Sequence, residues 1–102
     1  MKLVYTRRAT RHLAEIWNWI TENADERTAD GYVDRIHRHC ETLIPFPQRG
    51  DRKDHILPGL RTIGFERRVV IAFVVIDEMI VVEGILYGGR DIETSFQSRD
   101  DT

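Results

Sequence analysis

The sequence predicts an α+β domain of order β-α-α-β-β-β, with an N-terminal helical hairpin packed on a mainly antiparallel sheet. Three observations predict it. Apolar residues recur with a helical period from Ala9 to Ile44, Pro45-Phe46-Pro47 closes that pattern, and from Leu60 onward the chain turns to apolar, β-prone runs split by short polar turns. Helices grouped ahead of strands belong to α+β domains rather than to alternating ones. The chain has 102 residues, 41% hydrophobic and 31% charged, which is a single ordinary domain. That domain is expected over residues 1–96, with a frayed polar tail over 97–102.

Leu3-Val4-Tyr5 is short and β-prone and reads as the opening strand. Thr6 or Thr10 can cap the first helix, because a side-chain oxygen there accepts a free amide at a helix start. Ala9, Leu13, Ile16, Trp17, Ile20 and Ala24 form one helical stripe, which ends near Asn23 to Asp25. Asp25 is the next cap, and a second helix is expected from Glu26 to Leu43 with Ala29, Tyr32, Val33, Ile36, Cys40, Leu43 and Ile44 on one face. Proline cannot continue it. Gln48 to Gly59 is polar and reads as a loop; strands are expected over Leu60–Phe65, Val69–Val75 and Met79–Tyr87, then a short closing segment, Arg90–Phe96. The third and fourth strands are almost wholly apolar, so both sheet faces should be covered, whereas the helices reach only one. The other face, or a groove beside it, is expected to receive a partner.

Composition excludes several classes. Cys40 is the single cysteine, so no intramolecular disulfide forms. Met1 to Arg11 carries Arg7, Arg8 and Arg11 and shows no signal peptide, and the longest apolar run, Val69–Ile76, is far too short to span a membrane. A cytoplasmic domain with no membrane partner is expected. Residues 1–72 hold 13 of the 15 basic residues and 10 of the 17 acidic ones, so the basic charge is concentrated ahead of an acidic C-terminal third. Thirteen of the basic residues are arginine, whose planar fork grips carboxylate or phosphate with two bonds at once. A sequence pI near 6.1 argues against non-specific DNA binding by the whole domain, though not against a local basic face.

No metal or cofactor site is expected. His37 and His39 lie about 200° apart around a helix and cannot share an ion, while His12 and His55 lie elsewhere. Cys40 falls on the core stripe, away from the access a nucleophile needs. Gly88-Gly89-Arg90 comes after a strand but opens no helix of a phosphate loop. Trp17 belongs to the stripe, whereas Trp19 sits about 60° from Ile16 with His12 one heptad earlier, a position suited to anchoring a partner. Arg49, Arg52, Lys53, Arg61, Arg67 and Arg68 outnumber Asp51, Asp54 and Glu66, and strand pairing is expected to gather them into one positive surface near Arg61 and Arg90.

Taken in order, Arg8-Ala9…Leu13…Ile16-Trp17…Ile20, Phe46-Pro47-Gln48-Arg49-Gly50, Pro58-Gly59-Leu60-Arg61, Val69-Val70-Ile71-Ala72-Phe73 and Leu86-Tyr87-Gly88-Gly89-Arg90-Asp91 resemble the RelE/ParE superfamily of type II toxin–antitoxin toxins. The resemblance runs from Lys2 to Phe96 and is closest to the ParE branch, the plasmid stabilisation toxins. It implies a toxin that inhibits DNA gyrase and is neutralised by a ParD-like antitoxin in a heterotetramer or larger complex. DNA would then be reached only indirectly, through the antitoxin.

The alternative that the resemblance carries is a metal-independent, ribosome-dependent mRNA endonuclease of RelE type. Cleavage through the 2′-hydroxyl needs proton transfer and cations around the phosphate. The arginine that RelE-type toxins carry on the third strand aligns with Val70 and their C-terminal tyrosine with Phe96, leaving Arg90, Tyr87 and Lys53 as the candidate catalytic set. The gyrase reading needs no catalytic residue here. It takes Arg90, Asp91 and Phe96 as target-binding, and Trp19, His12, Arg61, Arg67 and Arg68 as antitoxin-binding. A third reading is an inactive module that only binds an antitoxin.

Overall fold

Thr6 sits where the opening strand stops and the first helix starts, and it ties both to the far end of the chain. Its Oγ1 accepts from the Ala9 amide at 3.1 Å, its own N–H donates to the Val82 carbonyl at 3.0 Å, and its hydroxyl donates to the Glu83 carbonyl at 3.3 Å. The cap is therefore Thr6 rather than Thr10, and α1 runs Arg7–Asn23, after β1, Lys2–Tyr5, in a computed structural model that describes residues 1–96. The tail expected to fray, residues 97–102, lies outside the described residues. Asp25 caps α2, Glu26–Glu41, by accepting from the Thr28 amide at 2.7 Å, which holds its carboxyl below the usual range. The indole N–H of Trp17 donates to Asp30 at 2.7 Å across the hairpin.

The sheet order is β1-β5-β4-β3-β2, with β2 at Asp51–Arg52, β3 at Arg61–Phe65, β4 at Val69–Ile76 and β5 at Met79–Tyr87. All pairs are antiparallel except β1 with β5, which places the first and last strands side by side. β2 was not expected: two residues inside a polar loop carry no period-2 pattern, and the strand exists only through its pairing with β3. Gly50 precedes it at φ +92°, and a Cβ there would meet the Thr62 carbonyl oxygen and Ile63 Cγ2. Gly50→Ala therefore combines a left-handed backbone with a backbone clash and should cost roughly 2–4 kcal/mol, read as a lower urea midpoint.

Ala72 pairs with Gly84 but Phe73 pairs with Val82, so Glu83 is an extra residue, a β-bulge in β5. Side chains alternate along a strand, so without the bulge Ile85 and Tyr87 would face away from Ile80 and Val82. With it, Val82 and Ile85 both join the core under the helices, together with Ala9, Ile16, Ile20, Ala29, Ile36, Cys40, Val69 and Ile71. Leu43, Phe73 and Ile80 extend that layer. The opposite face is not left open, contrary to expectation. Ile56 and Leu57 from the loop, Ile92 of α3, Ile92–Ser95, and Phe96 just after it pack on Leu60, Ala72 and Val74. Val70, at the hairpin end of β4, stays 38% exposed.

Candidate functional site

A cleft of about 350 Å³ lies between α1 and the end of β5, beyond the bulge. His12 lies one turn before Ile16 on the inner face of α1 and is only 5% exposed, so it does not offer the partner-facing edge expected of it. Its Nδ1 accepts from the Ile85 amide at 3.0 Å, which leaves the neutral ring's proton on Nε2. Burial holds its pKa below the ordinary value, and the neighbouring Arg11, Arg90 and Arg8 push the same way against Glu15. Its place was legible in principle, because positions 9, 12, 16 and 20 share one helix face.

Trp19 forms the outer wall of the cleft, 50% exposed and 5.5 Å from Tyr87 between ring centroids. Arg68 and Arg90 line the cleft with Glu15, Tyr87 and Gly88. Arg90 donates to Glu15 at 3.2 Å, and Glu15 also receives Arg11 at 3.8 Å. Glu15 was not foreseen as part of the site. Its i,i+4 spacing from Arg11 was visible, but its pairing with Arg90 depends on where β5 ends.

The expected target-binding segment is held in place by its own contacts. Asp91 caps α3, accepting from the Glu93 amide at 3.1 Å and the Thr94 hydroxyl at 2.9 Å, so its carboxylate is committed. Phe96 turns inward to the second sheet face, where the Arg8 guanidinium lies 4.3 Å over its ring and Gly84 leaves room beneath it. Arg8 also faces Glu83 at 3.9 Å, while burial raises the Glu83 pKa. His55 reaches Glu93 at 3.0 Å and closes the loop against α3. Of the three residues, Arg90 and Asp91 are exposed and Phe96 is half-buried; the Asp91 carboxylate is taken up by the cap, and the Arg90 head is 57% exposed.

The basic residues do not form one surface. Arg61 pairs with Arg52 at the start of β3 and donates to Gln48 at 3.0 Å, whereas Arg67 and Arg68 lie beyond the other end of that five-residue strand, roughly 15–20 Å away. The antiparallel register turns the chain back between them, so Arg61 and Arg90 are not neighbours. Arg52 is held by Asp54 at 2.9 Å, and Asp54 also accepts from the Gly59 amide, which keeps its carboxyl below the usual range.

The candidate ribonuclease set is likewise divided. Lys53 donates its backbone N–H to Leu60 at the Arg61 end of the sheet, while Tyr87 pairs with Val69 at the hairpin end and faces the helices. Val70, which pairs with Leu86 beside Tyr87 and faces away from the helices, brings no charge there. Cys40 is fully buried, with its thiol pushed up to about 11 by burial. Among the described residues no group of three or more His, Cys, Asp or Glu could hold a metal, and no helix is long and apolar enough to cross a membrane.

A family model described as the ParE toxin of type II toxin–antitoxin system, parDE, matches residues 3–92. Among solved structures, the chain is similar to one described as the chromosomal ParDE TA system from P. aeruginosa. The identity is 25% and the TM-score 0.75, over 86% of this chain and 96% of that one. No curated protein matches the chain.

Proposed function

The chain belongs to the ParE toxin family of type II toxin–antitoxin systems, and from that membership we propose that it arrests growth by trapping DNA gyrase on cleaved DNA. A ParD-like antitoxin neutralises it in a heterotetramer or larger complex, and promoter duplex is reached through that antitoxin. The observation that carries the reading is the family match over residues 3–92 in a chain whose Lys53, Tyr87 and Arg90 do not converge on one point. A poison needs no proton-transfer residues of its own, since the breaking and rejoining of DNA is gyrase's chemistry.

Arg90 is the residue we assign to the target, with Asp91 and Phe96 fixing the segment that presents it. Trp19, Arg67 and Arg68 are assigned to the antitoxin, which suits an amphipathic segment with an apolar anchor and carboxylates. Arg61, at the far end of the sheet, lies apart from that set.

Antitoxin-free toxin mixed with gyrase, plasmid and ATP should accumulate linear plasmid and lose supercoiling. An unchanged plasmid, from toxin shown to be folded and competent to bind antitoxin, would overturn the gyrase assignment and leave the inactive module or the ribonuclease. Messenger RNA cut on translating ribosomes in a parallel reaction would then decide for the latter.

A further inference from the structure

Apolar side chains stay uncovered at the end of the sheet opposite the turn between β3 and β4. Of the six large hydrophobic residues exposed among the described ones, Trp19 and Val70 lie toward that turn, and Met1, Ile44, Phe46 and Ile76 toward the opposite end. Ile76 pairs with Met79 and Met79 with Lys2, whose N–H donates to the Glu78 carbonyl at 2.8 Å, so Met1 sits beside the turn between β4 and β5. Leu43 is buried against Phe73 and Ile80, which brings Ile44 and Phe46 out of α2 at the same end. Phe46 is the most exposed of the six, at 71%.

This end has the shape of a projection beside a notch. β3 starts at Arg61, opposite Phe73, while β4 runs on to Ile76 and returns as β5 from Met79, so their hairpin stands roughly 10 Å beyond β3. Its tip is Asp77-Glu78, exposed and, among the described residues, in no ion pair. The notch beside it, about 180 Å³, is lined by Gln48, Arg52, Gly59, Arg61 and Val75. Arg52 and Arg61 stand directly opposite each other in the ladder, where like charges repel. Asp54 takes up Arg52, whereas Arg61 has only the neutral Gln48 amide. The notch therefore keeps a net positive charge, and the tip a net negative one even with Lys2 at its base.

A surface that holds a projection and its complement, in charge as well as in shape, meets the condition for pairing with itself across a two-fold axis. An acidic peptide would satisfy Arg61 but would leave the Asp77-Glu78 tip unpaired, and a polyanion would be repelled by that tip. We propose that this end of the sheet is a homodimer interface, in which the Asp77-Glu78 tip of each copy enters the Arg52-Arg61 notch of the other and the exposed Phe46 and Ile76 side chains meet between them. Trp19, Arg67, Arg68 and Arg90 lie away from it and stay open in the dimer. The inference goes beyond the gyrase reading and does not depend on it, because the measurement uses the isolated chain without gyrase or antitoxin.

Sedimentation velocity of the full chain at rising concentration reads the association. The wild type should pass from the 12.0 kDa monomer toward twice that mass, half-associated at roughly 10–100 µM because the interface is small. Salt should weaken it, since the paired charges are exposed. Arg61→Glu and Glu78→Arg, each alone, set like charges in contact and should weaken association about tenfold or more. Mixed in equal amounts, the two variants should associate as the wild type does, because both contacts of the mixed dimer then join opposite charges. Neither side chain belongs to the buried core, and urea midpoints matching the wild type show that each variant folds. A wild type that stays monomeric at about 300 µM would overturn the proposal and return Arg61 to the antitoxin. So would variants that associate undiminished, or a mixture that stays monomeric while both variants are folded.

Discussion

Toxin carrying Arg90→Ala should fail to linearise plasmid in the presence of gyrase while binding its antitoxin as tightly as the wild type. Arg90 is 57% exposed, and it pairs with Glu15, itself 44% exposed. An exposed pair of this kind contributes about 0.2–1 kcal/mol, so the fold survives its loss. An arginine at the centre of an interface carries about 2–4 kcal/mol, or roughly 30- to 1000-fold in affinity for the target. The two readouts therefore separate: thermal midpoint and antitoxin affinity hold while trapped cleavage disappears. Full poisoning by the variant would remove Arg90 from the target surface.

Truncation before Arg90 is a poorer experiment than it looks from sequence. It removes Phe96 and Ile92 from Leu60, Ala72 and Val74 and strips the Arg8 guanidinium of its aromatic neighbour. Loss of toxicity in the truncated chain would mix a lost contact with a loosened sheet.

His12→Ala should lower stability by roughly 2–4 kcal/mol, the largest effect expected from a single polar side chain here. The change leaves the Ile85 N–H buried without its acceptor and opens a void between α1 and β5. Its pH signature identifies the cause. The folded-state pKa of His12 lies below the ordinary 6.5, so between the two values the unfolded chain binds the extra proton. The stability that His12 contributes is complete above about pH 6.5 and is lost as pH falls through the folded-state pKa. Urea midpoints at pH 7.5 and pH 5.5 should thus show the gap between wild type and variant narrowing on acidification. A gap that stays constant or widens would mean that His12 is not held neutral by its contact with Ile85.

Local periodicity carried most of the fold. The stripes at Ala9, Ile16 and Ile20 and at Ala29, Ile36 and Cys40 placed both helices with their inner faces correct, because a 3.6-residue repeat has one apolar side. Asp25 marked the start of α2, and the three long strands fell within a residue of their observed bounds. The site was legible only in part. Trp19 stood off the stripe and is exposed, and Arg68 and Arg90 do line a cleft with it. His12 and Phe96, however, turned inward, and Arg61 fell at the wrong end of the sheet.

Neighbouring residues and residue identity were enough to set the α+β class, the helical hairpin, the family resemblance and the absence of an arginine at Val70. Tertiary structure alone decided which functional residues meet. Strand order set β5 beside β1, and the Glu83 bulge brought Ile85 and Tyr87 to the helix face. The antiparallel register carried Arg61 away from Arg68. Pairing register and bulges depend on contacts between residues distant in sequence, so no local pattern encodes them.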